Sequence, residues 1–485
     1  MKELKKLLIV GGGTAGYICA LILKKHLNIQ VDVVYSSTQG IVGVGEGSTE
    51  HFKDFMDFIG INQYDILKEC DATYKSGIVF NDWGSKNYMH NVGAPFMNRC
   101  GLYSHVYAHQ IAKNDNYIHS KLAPNNLINR WFVNRPEEIP FNQFHFNTYK
   151  LNEYLSKIAS SMDITLYDDD IDLVTLDKDG NIDQLKSDKR TYDYDFYVDA
   201  TGFKRILMNH LGAKWQSYGK YLKMKSAFAF PTEDTDEYNM WTLAKAMKNG
   251  WLFRIPVWGR HGNGYIFDSD FVDIDDAKKE VEELFEKPID IRKEFKFDPG
   301  CLDKVWIKNC VAIGLSGSFV EPLEATSIGT TIQQSFLLMN KITNYNEAVI
   351  DSYNQSFTDI MENIRDFLVL HYITDRRDSE FWKYISTIEL PDSLSNNLEL
   401  WKSKLPIDEE FSKQSNFVLF KAANYITVMD GLNMFDREAI GKELSLRNPE
   451  LTVDAMNTIK DQHMFEDSIK KIGHKEFIRL IRNHF

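Results

Sequence analysis

The chain has 485 residues, of which 43% are hydrophobic, 13% aromatic and 26% charged. This composition is that of a folded globular protein and excludes a disordered chain, which could not carry so many aromatic and branched residues. Its 69 acidic and 56 basic residues leave a net charge of −13, which argues against nucleic acid or an anionic membrane as partner, because both need a basic footprint.

Five cysteines (Cys19, Cys70, Cys100, Cys301 and Cys310) form no C-x-x-C pair and are too scattered for a disulfide framework, so a reducing cytoplasm is expected. Lys2, Lys5 and Lys6 precede a charge-free run over residues 7–23 that imitates a secretory signal. The glycines inside that run spoil the imitation. It parses instead as a strand over 7–10, a tight turn, and a helix from Thr14. No other stretch is long and apolar enough to span a bilayer, so a soluble, cytoplasmic protein is expected.

The turn reads GGGTAG and fits G-x-G-x-x-G at Gly11, Gly13 and Gly16. Glycine is needed there for the turn, for close approach of a pyrophosphate, and for helix–strand packing; the helix N-terminus then offers free N–H groups. A second strand is expected over 31–35. The acid that usually ends it to hold a ribose is missing, and Tyr35 and Ser36 stand in its place.

Further along, YDFYVDATG (194–202) and CVAIG (310–314) read as two more buried strands, as in a two-domain flavoprotein. The second runs into Leu315-Ser316-Gly317-Ser318-Phe319 rather than the Gly-Asp pair of flavin hydroxylases. DDAKKEVEELF (275–285) is an amphipathic helix with Val281, Leu284 and Phe285 on its apolar face. Residues 346–485 alternate charged and apolar positions at helical spacing.

Other constellations fail. His105 and His109 share a helical spacing, but Val106 stands where a zinc protease needs Glu, so no metal is expected. Asp168–Asp170 and the acidic run 233–237 read as solvated turns. GLSGS (314–318) lacks the last glycine of a nucleophile elbow.

Taken in order, GGGTAGY (11–17), GVGEGS (43–48), YKSGIVF (74–80), GWLFRIP (250–256), FVEPLEATSIG (319–329) and HYITDRRDSEFW (371–382) resemble the flavin-dependent halogenases of the tryptophan-halogenase family. The resemblance covers roughly residues 5–385. It implies an α/β (α+β) chain with a Rossmann-like, FAD-binding flavin-monooxygenase fold over 1–345, including an inserted substrate-side sheet. A helical subdomain over 346–485 would cap the substrate pocket.

By the same resemblance, reduced FAD, O2 and a halide ion give hypohalous acid, which travels through a tunnel to an electron-rich aromatic such as an indole or phenol. FAD contacts are implied at Gly11, Gly13, Thr14, Ala15, Gly16, Ser36, Glu46, Leu315 and Ile328. Lys75 matches the catalytic lysine, which hydrogen-bonds hypohalous acid or forms a haloamine, the latter requiring a lowered pKa. Glu324 matches the carboxylate that stabilises the cationic intermediate, takes its proton or polarises the halogen donor. Thr326 and Ser327 match the halide-holding positions, the family more often having Gly at the second.

Trp251, Phe253 and Pro256 match the W-x-W-x-I-P signature, with Phe253 replacing the second Trp, and would line the tunnel. A separate NAD(P)H-dependent flavin reductase is implied, since no second glycine fingerprint is visible, and self-association into a homo-oligomer is left open. The residues by which tryptophan-specific relatives grip the amino acid are not matched, so the resemblance supports halogenation more firmly than tryptophan. A flavin hydroxylase and a non-catalytic flavin-binding protein are the alternatives.

Overall fold

The computed structural model describes residues 4–43, 46–91, 122–135, 138–139, 141–411 and 413–484. The opening apolar run forms strand Lys6–Val10, buried at all but its first residue, as a central parallel strand must be. It pairs in parallel with Gln30–Tyr35 on one side and Phe196–Asp199 on the other. Thr165–Asp168 and Cys310–Ala312 extend this sheet, and Trp306–Ile307 closes one edge as a hairpin. The helix Thr14–His26 packs over it, with Lys24, Lys25 and His26 in the last turn complementing its dipole.

A second sheet of seven strands runs Lys293–Lys296, Ser226–Glu233, Arg260–Phe267, Gly250–Val257, Thr242–Ala246, Ile78–Asn81, Tyr88–His90. It is antiparallel except where Thr242–Ala246 meets Ile78–Asn81. Its apolar back is covered by Ile274–Phe285 through Ala277 and Val281. Leu284, expected on that face, is instead 41% exposed. The covering face follows the four-residue steps 277, 281 and 285, and Leu284 falls to one side of it.

A small sheet is formed by Glu46–Gly47, Gln143–Phe146 and Thr73–Lys75, its central strand packing against Gly250–Val257. Residues 346–485 are mostly helical. They open with the long helix Glu347–His371 and return to the body by strand Lys471–Gly473, which pairs with Leu127–Asn129. No helix of the described residues is long and apolar enough to cross a membrane.

Candidate active site

The glycine turn has the geometry a dinucleotide requires. Gly11 adopts a φ of +124°, and a Cβ there would stand 2.2 Å from the Ala200 carbonyl oxygen; one at Gly16 would stand 1.9 Å from that of Gly11. Among the described residues nothing lies within 4 Å of the Cβ position of Gly13, which caps Thr14–His26. Close packing below the turn and open space above it, at the helix end that also carries Ala15, suit a pyrophosphate.

At the end of the second strand, Ser36 bonds Thr38 at 2.8 Å. The neighbouring strand brings up Asp168, whose Oδ1 accepts from the Ser37 N–H at 3.0 Å. A carboxylate does stand there, supplied across the sheet (Tyr35 pairs with Asp168). Its neighbour Asp169 is not the solvated turn residue expected: it is 3% exposed and accepts from Tyr192 and Ser187.

Asp199, buried in YDFYVDATG, ties this end of the sheet together. It accepts from the Leu207 and Met208 N–H groups, from Thr201, and from Ser316 Oγ at 3.0 Å. Ser316, the serine of the imperfect elbow motif, is thus a buried clasp.

From there a cleft of about 1190 Å³ runs between the seven-stranded sheet and the segments that carry Gly43, Gly47 and Leu315–Ile328. Gly43, Gly47, Phe253, Leu315, Pro322, Thr326, Ser327 and Ile328 are among its walls. Apolar walls with backbone donors at one end suit a planar ring system with polar edges. The donors come from helix Thr326–Lys341, whose first residues are Thr326 and Ser327. Both residues also line a smaller adjoining cavity of about 300 Å³. A free helix N-terminus there favours an anion.

Lys75 lies just behind Gly47, where a Cβ would stand 3.5 Å from the lysine Nζ. Its strand is fully buried, and Lys75 itself is 1% exposed. Nζ donates to the Ser48 carbonyl at 2.8 Å. Burial pulls its pKa down to about 8 against the opposing fields of Glu324 and Glu50.

Glu324 ends the short turn Pro322–Glu324, and Ala325 then takes a left-handed φ of +52° before the helix begins. The carboxylate is buried between two histidines. His90 Nδ1 donates to Oε2 at 2.8 Å, and His371 Nε2 stands 2.8 Å from Oε1. Burial alone would raise its pKa, but the two histidines outweigh burial and hold it at about 2.

Glu321, three residues earlier, is buried and accepts a long hydrogen bond from Trp251 Nε1 at 3.5 Å. Trp251 and Phe253 share a strand face, ring centroids 6.3 Å apart, but only Phe253 reaches the cleft wall. Trp251 packs toward Trp83. Pro256 presents its carbonyl to Thr73 Oγ1 at 2.7 Å and does not line the cleft. Glu46 lies in its short strand, its side chain outside the described atoms; His105 and His109 also lie outside the described residues.

His90, Glu321 and Asn424 were not singled out from sequence. His371 opens a quoted segment, yet nothing in the spacing ties it to Glu324.

A glycine-turn nucleotide sheet opening through an apolar cleft onto a buried lysine and carboxylate is the construction of a flavin-dependent enzyme. The sequence signature described as tryptophan halogenase matches residues 6–441, reaching past the stretch whose segments carry the resemblance. The chain is 30% identical over 447 residues to tryptophan 6-halogenase SttH of Streptomyces toxytricini, covering 83% of this chain and 85% of that protein. The crystal structure of SttH superposes with a TM-score of 0.87 at 27% identity, covering 99% of this chain and 100% of that one. Xcc4156, a flavin-dependent halogenase from Xanthomonas campestris, gives 0.84 at 27% identity, covering 99% and 98%. The chain belongs to the tryptophan halogenase family, and it is an enzyme of the flavin-dependent halogenase class.

Proposed function

We propose that the protein makes hypohalous acid at one end of the cleft and uses it, between Lys75 and Glu324, to halogenate an electron-rich aromatic. Reduced FAD, when bound, supplies the two electrons and the oxygen activation that turn O2 and halide into hypohalous acid. The observation that carries the reading is a fully buried lysine and a fully buried carboxylate beside one cleft, each with a shifted pKa.

Each part of the chain has a role. The turn at Gly11, Gly13 and Gly16 holds the pyrophosphate. The Thr326 and Ser327 N–H groups hold the halide where the cleft meets the smaller cavity. Lys75, shut off from solvent, directs its N–H donors to the oxygen of hypohalous acid and makes the halogen more electrophilic. Glu324 stabilises the cationic ring and receives its proton. Residues 346–485 close the pocket from the far side, which His371 and Asn424 support by reaching the Glu324 cluster.

The relatives named for tryptophan make an indole the first substrate class to try, with phenols second. The test supplies FAD, a flavin reductase, NADH, oxygen and each halide in turn with indoles and phenols, and reads products by mass spectrometry. Halogenated product is expected. Hydroxylated product formed without halide would overturn the reading in favour of a monooxygenase.

A further inference from the structure

The two histidines around Glu324 carry their protons differently, and their outer contacts decide how. His90 Nε2 lies 3.2 Å from Asn424 Nδ2. The Asn424 amide is fixed in that sense, because its Oδ1 accepts from the Lys421 N–H at 2.9 Å. Asn424 therefore donates, His90 Nε2 accepts, and the single ring proton sits on Nδ1, directed at Glu324. His90 is satisfied as a neutral ring.

His371 cannot be neutral in the same way. Its Nδ1 faces the Phe367 carbonyl oxygen at 2.8 Å, and a carbonyl only accepts, so Nδ1 carries a proton. Its Nε2 stands 2.8 Å from Glu324 Oε1 with both side chains out of solvent. A neutral ring would set a bare nitrogen lone pair against a carboxylate oxygen. The contact is not aligned as a linear hydrogen bond, yet at that separation an unprotonated, electron-rich ring nitrogen and an ionised carboxylate repel in a dry site whatever their alignment. A second ring proton removes the repulsion.

The surroundings favour the cation. The His371 ring is boxed by Phe80 at 4.8 Å, Phe367 at 5.0 Å and Trp83 at 6.5 Å between centroids, and aromatic rings attract positive charge. Among the described titratable groups, Glu324 is faced by His90, His371, Lys75 and the Tyr88 hydroxyl.

We propose that His371 rests as an imidazolium and forms with Glu324 a proton store for the halogenation step. The inference depends on the reading of Glu324 above and gives its carboxylate a source of acid. As the halogen–oxygen bond of hypohalous acid breaks, the stored proton passes through Glu324 to the departing oxygen, which leaves as water with the bonding pair. The aromatic π pair forms the carbon–halogen bond. The ring C–H proton then returns to Glu324 and His371, so the store is refilled each turnover. His371 is a positioning residue that acts through Glu324.

The first test needs no turnover. In the full-length protein labelled with 15N-histidine at pH 7, the His371 signal, assigned by its loss in His371→Gln, is expected with both nitrogens protonated. Glu324→Gln should return it to the neutral Nδ1–H form. A neutral His371 in the unsubstituted protein would overturn the inference.

The second test is kinetic. His371→Gln keeps a donor but cannot pass a proton. It should make hypohalous acid at the normal rate, read with an added diketone scavenger, yet halogenate the aromatic at least about 10-fold more slowly. The pH profile of that step should also change shape. If Glu324→Gln halogenates normally, the underlying reading of Glu324 fails. If Glu324→Gln is crippled while His371→Gln keeps its rate and profile, only the proton store fails.

Discussion

Glu321 and Glu324, three residues apart on one turn, are driven in opposite directions. Burial pushes the Glu321 carboxyl up to about 7, although Tyr372 and Trp251 beside it pull the other way. His90 and His371 hold Glu324 down at about 2 despite its burial. Near neutrality one turn therefore presents a carboxyl poised to hold its proton and another that stays ionised, the separation that lets neighbouring acids take different roles.

Stability should record the two acids separately. Raised from 4.5, Glu321 binds more protons folded than unfolded, so its contribution is full below pH 4.5 and lost as pH rises toward 7. The loss is about 3 kcal/mol, from roughly 1.4 kcal/mol per unit. Glu321→Gln should flatten urea-midpoint stability across that window. Glu324 contributes stability above pH 4.5 that is lost as pH falls toward 2, so Glu324→Gln should blunt the acid limb instead. Identical pH curves for the two variants would show that the turn does not separate them.

Lys75→Ala is expected to retain FAD and to lose at least about 10²-fold in halogenation. On the proposal that the ammonium form donates to hypohalous acid, the rate in the unsubstituted enzyme should fall as pH rises through about 8. Stability should move the other way. Lowered from 10.5, Lys75 binds fewer protons folded than unfolded, so its penalty is relieved as pH climbs from 8 toward 10.5. A rate that rises through pH 8 would instead favour attack by the neutral amine and a haloamine.

The nucleotide half was legible because its signals are local. A buried strand, a glycine turn and the helix at Thr14 lie within one short stretch and obey spacing rules. Lys75 and Glu324 were legible only through the segments around them. Their supports were not. Asn424 meets His90 across 334 residues and His474 meets Tyr74 across 400, distances at which no periodicity carries information. Leu284 shows the opposite limit: an apolar residue at helical spacing still fell beside the covered face.

Ser327 should influence halide choice without deciding whether halide is used. It lies in the first turn of Thr326–Lys341 and lines both the cleft and the smaller cavity. Ser327→Gly leaves the N–H donor and removes the side chain, enlarging the cavity proposed for the halide. The expected result is a several-fold shift in the ratio of bromination to chlorination in halide competition, with FAD affinity unchanged. An identical ratio would remove the Ser327 side chain from the account of halide choice.

His474 holds the Lys75 strand from the far end of the chain. It is 1% exposed; its Nδ1 donates to the Tyr238 carbonyl at 2.9 Å, and its Nε2 accepts the Tyr74 N–H at 3.2 Å. Those two bonds require a neutral ring, and burial depresses its pKa to about 4. The next residue, Lys475, bonds Asp234 at 3.1 Å and Asp236 at 3.3 Å, so two members of the acidic run 233–237 anchor this helix rather than simply facing water. His474→Ala strands two buried backbone groups and should cost about 2 kcal/mol, with lower halogenation because the backbone beside Lys75 loses its tie. His474→Gln can replace both bonds and should recover much of each loss. With its pKa lowered from 6.5, the histidine contributes stability at neutral pH that is lost as pH falls through 6.5 toward 4. The unsubstituted protein should therefore lose more stability across that window than His474→Gln; equal losses would show that His474 titrates alike folded and unfolded.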